Sequence, residues 1–298
     1  MAFIMPELPE VETVRRGLEP VLVGNAFTRV EQRRGDLRFP LPKHFGARLE
    51  GRKVEALDRR AKYLLARLDD GEVLVMHLGM TGSFSIDAAN GAASVPGRFA
   101  HPRADIPKHE HIVFHLGDGT AIRYSDARRF GLMDLIPADA LESHALFKGL
   151  GIEPLSSAFT PAWLASRLKG KATSIKAALV DQRLIAGLGN IYASEALYRA
   201  RISPLKLAGS LATKSGKSTA KTEALVAAVK AVLEDAIKAG GSSLRDYKRA
   251  DGSLGSFQHR FKVYGREGKP CPRKGRGGTV RRIVQGGRST FYCPTCQR

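Results

Sequence analysis

Short segments rich in β-branched and aromatic residues, running from about residue 53 to residue 135, constrain the fold of this chain most strongly. Turn signals separate them; Asp69-Asp70-Gly71, for example, lies between segments 63–68 and 72–77, and Gly117-Asp118-Gly119 lies between segments 111–116 and 120–124. Strands at this spacing are typical of an antiparallel meander that forms a sandwich or a barrel.

Helical periodicity marks the sequence on both sides of this meander. Before it, Val11, Val14 and Leu18 recur on one helical face. After about residue 149, segments 175–185 and 191–201 are predicted to be two helices joined by Gly187-Leu188-Gly189-Asn190. The Lys/Ser/Thr-rich segment 206–221 is expected to be a mobile linker. A third long helix follows, with an apolar face formed by Leu225, Val229, Val232, Ala236 and Ile237.

The net charge indicates a polyanionic partner. Forty-eight Lys and Arg against 29 Asp and Glu give +19 over 298 residues, and the basic residues are spread along the chain. Such a field favours nucleic acid, although charge alone does not choose among DNA, RNA and anionic lipid. No apolar run of about 18 residues predicts a membrane helix, and no signal peptide is recognisable, so we expect a cytoplasmic protein that associates with the nucleoid.

Three separated motifs give a much sharper indication. They are Met5-Pro6-Glu7-Leu8-Pro9-Glu10-Val11-Glu12, the run Gly-Leu-Gly-Asn-Ile-Tyr-Ala-Ser-Glu from Gly187, and Phe291-Tyr292-Cys293-Pro294-Thr295-Cys296. Together, and in this order over nearly the whole chain, they closely resemble bacterial formamidopyrimidine-DNA glycosylases. Three motifs at family spacing are far more specific than one short match.

The resemblance implies an α+β fold in three parts. These are an N-terminal antiparallel β-sandwich with a flanking helix (residues 5–137), a helical domain of the helix-two-turn-helix type that binds DNA (residues 150–250), and a C-terminal β-hairpin module of the zinc-finger type (residues 257–298). A chain of 298 residues is also longer than one core of typical size fills.

The N-terminal motif suits covalent catalysis by an amine. A proline at a free N-terminus is a secondary amine with a pKa of roughly 8, so a usable fraction is neutral near pH 7. It can attack the anomeric carbon of a sugar and expel the base as an iminium forms. The resemblance makes Pro6 this nucleophile and Glu7 the proton donor that assists sugar opening, and it implies that Glu10 helps to hold the N-terminus in place.

The residues before Pro6 conflict with this chemistry. Met1-Ala2-Phe3-Ile4-Met5 turn its nitrogen into a tertiary amide, which has no lone pair to offer. We therefore hypothesise that Met5 is the true start or that residues 1–5 are removed. A proline that merely begins a helix is the alternative for an isolated Pro-Glu pair.

Two basic residues are expected to assist strand cleavage. Lys62 follows Arg59 and Arg60, and crowded positive charge lowers the pKa of a lysine and improves it as a proton shuttle. By the resemblance, Lys62 takes part in β-elimination and Arg288 in δ-elimination at the lesion phosphates. Without the resemblance, Lys62 would be interpreted as a phosphate contact or a solvated charge, and Arg288 as a surface arginine.

Several further residues are expected to contact DNA. The resemblance implies that Met80, Arg128 and Phe130 fill the gap left by an extruded nucleotide, because an apolar wedge and a guanidinium can occupy that space. Taken alone, Met80 and Phe130 would more often be core residues. His109 is expected to contact DNA; a metal pair with His111 is the alternative.

The turn between the two predicted helices is expected to bind phosphate. The backbone amides from Gly187 to Asn190 and the following helix N-terminus can hold an anion, and Asn190 can cap that helix. Lys171 and Lys176 add phosphate contacts. An ordinary turn between two helices is the alternative for this spacing.

The cysteines form an incomplete zinc motif. The chain has three, and Cys293 and Cys296 resemble one half of a four-cysteine site whose other half contains Cys271. The missing cysteine belongs at position 274 or 276, where Lys274 and Arg276 stand. Since structural zinc almost always takes four protein ligands, we expect a single Zn²⁺ that is loosely held, with water or a residue such as His259 in fourth place, or absent.

Together these features predict a bifunctional DNA glycosylase and abasic-site lyase. It would remove 8-oxoguanine and formamidopyrimidines from damaged double-stranded DNA through an imine at Pro6, cut the strand by β,δ-elimination, and act as a monomer without a redox cofactor. An endonuclease VIII-like enzyme for oxidised pyrimidines is one alternative. A lesion-binding protein without catalysis is another, if Pro6 is blocked, and a basic RNA-binding protein is a more distant one.

Overall fold

A computed structural model of the chain describes residues 5–96, 107–242, 257–273, 275 and 277–298. Residues 1–4, Lys274 and Arg276, on which parts of the predictions depend, lie outside the described residues. The chain divides into two compact units: one contains the described part of residues 1–148 and 239–256, and the other contains Gly149–Lys238 and Phe257–Arg298. The three-part division stays a prediction.

Helix α1 (Leu8–Leu22) opens the first unit. Its start is well specified, because Glu7 and Glu10 form a capping box and Pro9 in the first turn has the backbone angle that a helix needs. The predicted apolar face is confirmed: Val11, Val14 and Leu18 are all buried.

Two antiparallel sheets follow α1 in the same unit. The four-stranded sheet has the order β2-β3-β4-β9, with β2 Val54–Arg60, β3 Tyr63–Leu68, β4 Glu72–His77 and β9 Leu132–Pro137. The five-stranded sheet has the order β1-β7-β8-β5-β6, with β1 Phe27–Gln32, β5 Gly82–Asp87, β6 Ala93–Ser94, β7 Glu110–Leu116 and β8 Ala121–Asp126. A short helix, α2 (Phe45–Leu49), precedes β2.

One apolar core joins the two sheets. It contains Leu64 and Leu74 of the four-stranded sheet together with Phe84 and Phe114 of the five-stranded sheet. Burying one such side chain stabilises a fold by about 1.5–3 kcal/mol. The α+β fold with an N-terminal antiparallel sandwich is therefore confirmed.

The second unit is helical, with a two-stranded hairpin. Its helices are α3 (Pro161–Leu168), α4 (Ile175–Val180), α5 (Asn190–Arg199) and α6 (Ala220–Lys238). The hairpin strands are β10 (Arg281–Gln285) and β11 (Arg288–Tyr292), which pair in antiparallel register. Side-chain oxygens of Thr160 and Ser174 cap the first turns of α3 and α4.

Two expectations for this unit need correction. Helix α4 ends at Val180 rather than near residue 185, because Asp181 has extended backbone angles and begins a turn. The prediction of a mobile linker over residues 206–221 is wrong. That segment contains a 3₁₀ helix, Ala208–Leu211, in which Leu211 is buried and accepts a hydrogen bond from the Thr219 hydroxyl at 2.8 Å.

The predicted third long helix, with its apolar face, is confirmed as α6. Gly240 and Gly241 follow it with φ values of 75° and 79°, a region that favours glycine. None of the helices among the described residues combines the length and the apolar composition needed to cross a bilayer.

Candidate functional site

The first candidate site residues lie where α1 begins. Pro6 is buried, and it directly precedes Glu7, which is only 3% exposed and caps the helix. The backbone N–H of Glu7 donates to Glu10 Oε2 at 3.0 Å. Glu10 Oε1 accepts from the backbone N–H of Ser242 at 2.7 Å and from its hydroxyl at 2.9 Å.

This arrangement depends on the glycine before Ser242. Gly241 has a φ of 79°, and a Cβ added there would stand 3.2 Å from Glu10 Oε1. Glycine allows the backbone to approach the carboxylate closely enough for the Ser242 amide to reach it. Sequence reasoning named Glu10 but missed Ser242, because 232 positions separate the two residues.

Lys62 lies in the tight turn between β2 and β3 and is 7% exposed. Ala61, just before it, adopts a left-handed φ of 55°, and its carbonyl accepts a hydrogen bond from the Arg59 guanidinium at 3.0 Å. The same guanidinium binds Glu12 of α1 at 3.2 Å. This ion pair fixes the Lys62 turn relative to the helix that begins next to Pro6.

Glu12 is held as a carboxylate by several arginines. Burial alone would raise the pKa of Glu12, but hydrogen bonds from Arg15 and Arg16, with the charge of Arg59, hold that pKa below its ordinary value. The ion pair that fixes the Lys62 turn therefore persists at neutral pH.

His77 connects the Lys62 turn to a second group of candidates. Burial, the charge of Lys62 and the charge of Arg38 lower the pKa of His77 to about 4. The neutral ring accepts a hydrogen bond at Nδ1 from the backbone N–H of Gly79 at 3.0 Å. Because that bond needs an unprotonated Nδ1, the turn that presents Met80 depends on a neutral His77.

Met80, Arg128 and Phe130 lie on two adjoining loops, residues 78–81 and 127–131, which we call the paired loops. A Cβ added to Gly79 would stand 2.3 Å from the Phe130 carbonyl carbon, so the backbones of the two loops touch. The Arg128 guanidinium lies 4.5 Å from the centre of the Phe130 ring, which is 41% exposed. The structure therefore brings these three predicted residues together.

Asp126 joins the paired loops and was missed as a site residue. It is 0% exposed, and its carboxylate accepts hydrogen bonds from the Thr81 hydroxyl and, at 2.8 Å, from the backbone N–H of Gly131. Its backbone carbonyl bonds to Nε2 of the buried His111 at 2.8 Å. His109 lies in a 3₁₀ turn, Pro107–His109, directly before the strand that contains His111.

Asn190 does not cap α5, contrary to the sequence prediction. Gly189 occupies the cap position and Asn190 is the first residue of the helix. Its side-chain N–H group donates instead to the Ser289 carbonyl at 2.9 Å and to the Tyr264 hydroxyl at 3.4 Å. The backbone N–H of Gly187 is likewise engaged, by the Gln182 side chain at 2.9 Å.

The basic candidates of the second unit differ in exposure. Lys176 is only 1% exposed, and it lines a pocket of about 220 Å³ together with Asp181, Gln285 and Arg288. The structure therefore places Lys176 and Arg288 at one concave surface. Lys171 is exposed, as a phosphate contact requires.

The three cysteines converge. The sulfur atoms of Cys271, Cys293 and Cys296 all lie within 4.8 Å of one another, and those of Cys271 and Cys296 are 3.5 Å apart. Among the described residues this is the only group of three or more His, Cys, Asp or Glu side chains that could hold a metal ion. His259 is described and exposed, but it does not belong to the group.

Tyr198 of α5 contacts the group of three cysteines, and the sequence analysis did not identify it. Its hydroxyl lies 3.3 Å from the sulfur of Cys271. Burial alone would raise the pKa of Cys271, but hydrogen bonds with Tyr198 and with other groups around the Cys271 thiol hold that pKa below its ordinary value. Burial and the other two thiols raise the pKa of Cys296 to about 11.

Glu195, in the same helix as Tyr198, holds the chain before the hairpin. Its carboxylate accepts hydrogen bonds from the backbone N–H groups of Lys262, Val263 and Tyr264, at 2.8–3.1 Å. Its place in the motif that begins at Gly187 was the only sequence signal for this role.

Sequence models of one family match most of the chain. The formamidopyrimidine-DNA glycosylase N-terminal domain matches residues 5–133, the H2TH domain of the same glycosylase matches residues 150–248, and a zinc finger found in FPG and IleRS matches residues 268–298.

Whole proteins of this family are similar over their full length. A formamidopyrimidine-DNA glycosylase from Beijerinckia indica is 61% identical over 295 residues, which cover 99% of this chain and 100% of the relative. One from Chelativorans sp. is 57% identical over 298 residues, with the same coverage.

Solved structures share the fold. The crystal structure of MutM (Fpg) from Thermus thermophilus is 41% identical and superposes with a TM-score of 0.78, covering 98% of each chain. A Lactococcus lactis Fpg variant in complex with DNA that contains Fapy-dG is 35% identical, with a TM-score of 0.80 over 98% of this chain and 100% of that one.

Proposed function

We propose that this chain, which belongs to the formamidopyrimidine-DNA glycosylase family, excises oxidised purines from damaged duplex DNA and then cleaves the strand at the abasic site. The observation that carries the proposal is the start of α1, where Pro6 directly precedes a buried Glu7 whose backbone is bound by Glu10. The DNA bound to the Lactococcus lactis relative contains Fapy-dG, which supports a purine lesion as the substrate.

Base excision begins with the amine of Pro6. Its lone pair attacks C1′ of the damaged nucleoside as the bond between C1′ and the base breaks. That bond's electron pair leaves with the base, which takes up the proton that the Pro6 nitrogen loses. Glu7 supplies a proton to the sugar ring oxygen, so that the ring opens and an iminium links the Pro6 nitrogen to C1′. Glu7 is buried beside Pro6, so this proton transfer would take place away from bulk water.

Strand cleavage follows from the iminium. Loss of a proton from C2′ expels the 3′ phosphate, and a second elimination expels the 5′ phosphate. Lys62 assists the first step, since its turn is fixed to α1 through Arg59 and Glu12. Arg288 assists the second by binding the departing phosphate, with Lys176 in the same pocket.

This chemistry requires a free nitrogen at Pro6. In the sequence as written, the nitrogen is acylated by Met5 and cannot attack. We propose that the active protein begins at Pro6, because removal of the preceding residues restores the secondary amine. The hydrogen bonds from the Glu7 and Ser242 backbone N–H groups to Glu10 do not involve the Pro6 nitrogen.

The cysteine cluster fits part of a zinc site. Three cysteine sulfur atoms converge, as in a zinc-finger module, but the chain has no fourth cysteine. We propose that Cys271, Cys293 and Cys296 hold one Zn²⁺ less tightly than four cysteines would. When bound, the ion would cross-link the hairpin module; the glycosylase steps use Pro6 and Glu7 and do not involve it.

Single-turnover assays test the function. Duplexes that contain 8-oxoguanine, a formamidopyrimidine, an oxidised pyrimidine or no lesion are incubated with the protein, and the released bases are quantified. We expect release of oxidised purines at least about tenfold faster than release of oxidised pyrimidines, and a Glu7→Gln variant slower by about 10²–10⁴-fold. Faster pyrimidine release would indicate the endonuclease VIII-like alternative, and binding without release would indicate a lesion-binding protein.

A further inference from the structure

We propose that Asp126 is the positioning residue that sets the paired loops for opening the DNA base stack. The proposal rests on the proposed function, in which Met80, Arg128 and Phe130 occupy the gap left by an extruded nucleotide. Asp126 itself is fully buried. It acts through the loops that present those three side chains.

The Asp126 carboxylate is surrounded by hydrogen-bond donors from both loops and the sheet. One oxygen accepts from the Thr81 hydroxyl and from the backbone N–H of Arg128 at 3.3 Å. The other accepts from the backbone N–H of Gly131 at 2.8 Å and from the Tyr124 hydroxyl at 3.4 Å. Only a side chain with an acceptor at both positions can satisfy all four donors. Asparagine would place its N–H₂ group, itself a donor, against two of them.

Close packing around the same point leaves the loops little freedom. A Cβ added to Gly131 would stand 1.8 Å from the Tyr124 hydroxyl, and one added to Gly82 would stand 2.5 Å from it. The hydroxyl is kept protonated, because burial raises the pKa of Tyr124 well above its ordinary value and the Asp126 carboxylate raises it further.

The loop after Asp126 adopts a conformation that needs such support. Arg129 has a φ of 56°, in the left-handed region that residues with side chains rarely occupy. The next residue, Phe130, is an exposed large aromatic side chain, and the stacked Arg128 guanidinium covers one side of its ring. The Asp126 carboxylate accepts hydrogen bonds from the backbone N–H groups of Arg128 and Gly131, on the two sides of Phe130, and these bonds hold the turn that directs Phe130 outward.

Side chains that are already held in position should speed the reaction most when a base must leave the stack. Inserting a rigid side chain costs less ordering entropy than inserting one from a mobile loop. Extrusion costs several kcal/mol for a stacked, paired nucleotide and least where pairing is already lost. A preformed abasic site has no base to unstack, so its cleavage should depend less on the loops than excision of 8-oxoguanine does.

The test compares these two reactions in one set of variants. Single-turnover rates are measured for base release from an 8-oxoguanine·C duplex and for cleavage of the same duplex with a preformed abasic site. For Asp126→Asn we expect base release to slow at least tenfold and abasic-site cleavage to slow less than threefold. Thr81→Val, which removes one donor, should show the same selectivity with a smaller loss.

Parallel loss of both reactions would assign Asp126 a purely structural role and overturn the proposal, as would unchanged base release. If Asp126→Asn does not fold, judged by its melting curve, Thr81→Val decides between the same two outcomes. Phe130→Ala separates this proposal from the proposed function. If Phe130→Ala slows base release more than abasic-site cleavage and Asp126→Asn does not, only the role of Asp126 is overturned. If Phe130→Ala slows both reactions equally or neither of them, the proposal that Phe130 occupies the gap in the base stack is overturned.

Discussion

The carboxylate of Glu10 binds the backbone N–H of Glu7 at 3.0 Å and, through its other oxygen, the backbone N–H of Ser242 at 2.7 Å. A single buried side chain thus holds the residue next to Pro6 and a segment more than 200 positions later in the chain. In the proposed mechanism, this contact determines where the reactive nitrogen lies.

Replacing the two partners should therefore have unequal effects. Glu10→Gln removes the charge and turns one acceptor into a donor that faces backbone N–H groups, so imine formation should slow by at least about tenfold. Ser242→Ala removes only the hydroxyl bond, costs about 1 kcal/mol of stability and should slow imine formation less than threefold. Borohydride-trapping rates and melting temperatures of both variants measure this. Equal losses in the two variants would contradict the positioning role of Glu10.

Stability should fall as the pH drops through the titration of His77. Its pKa is about 4 in the folded chain, below the ordinary 6.5, so the unfolded chain binds the proton more readily. The stabilising contribution of neutral His77 is thus complete above about pH 6.5 and is lost as pH falls toward 4.

A His77→Gln variant tests this pH dependence. It lacks the titrating ring, so its melting temperature should fall less between pH 6.5 and 4 than that of the wild type. Over this pH range, the wild type should lose at most about 3 kcal/mol more of its free energy of unfolding than the variant loses. Parallel pH profiles for the two proteins would show that His77 does not titrate in this way.

Zinc should bind more weakly here than at a four-cysteine site. Metal analysis after dialysis against a chelator is expected to find much less than one ion per chain in the wild type. Arg276→Cys supplies a fourth thiolate at one of the two positions where the family motif requires it, and it should retain about one ion. Arg281→Cys, elsewhere in the same module, is the control. Chelator-resistant, stoichiometric zinc in the wild type would refute the prediction.

Arg288 should affect the second elimination selectively. Arg288→Ala is expected to leave base release within about threefold of the wild type and to slow expulsion of the 5′ phosphate by about tenfold to 100-fold. Gel analysis would then show accumulation of strands cut by β-elimination alone. Arg281→Ala, an exposed arginine of the same hairpin, is the matched control. Full β,δ-product from Arg288→Ala would contradict the assignment.

Local patterns predicted much of the fold and of the candidate site. The periodicity of Val11, Val14 and Leu18 located α1, and turn signals such as Asp69-Asp70-Gly71 separated strands that the structure contains. Pro6, Glu7 and Glu10 could be predicted as site residues because the motif that contains them is contiguous.

Residues whose partners are distant in sequence were missed. Asp126 meets Thr81 across 45 positions and Glu10 meets Ser242 across 232, and no local pattern reports such pairs. Asn190 shows the opposite error. Its type and place suggested a helix cap, but a bond to Ser289, 99 positions later, determines its orientation. Segment 206–221 likewise has the composition of a linker, yet the backbone N–H groups of Ala208 and Gly209 donate to the carbonyls of Thr173 and Lys171, and these bonds order its 3₁₀ helix.

Borohydride trapping with an 8-oxoguanine duplex, followed by mass analysis of the cross-linked peptide, tests the role of the Pro6 nitrogen most directly. We predict one covalent adduct between DNA and protein, located on the nitrogen of Pro6 in a chain that begins at that residue. An adduct on Lys62 or another amine would contradict the mechanism. So would full-rate base release by protein in which Pro6 is still joined to Met5.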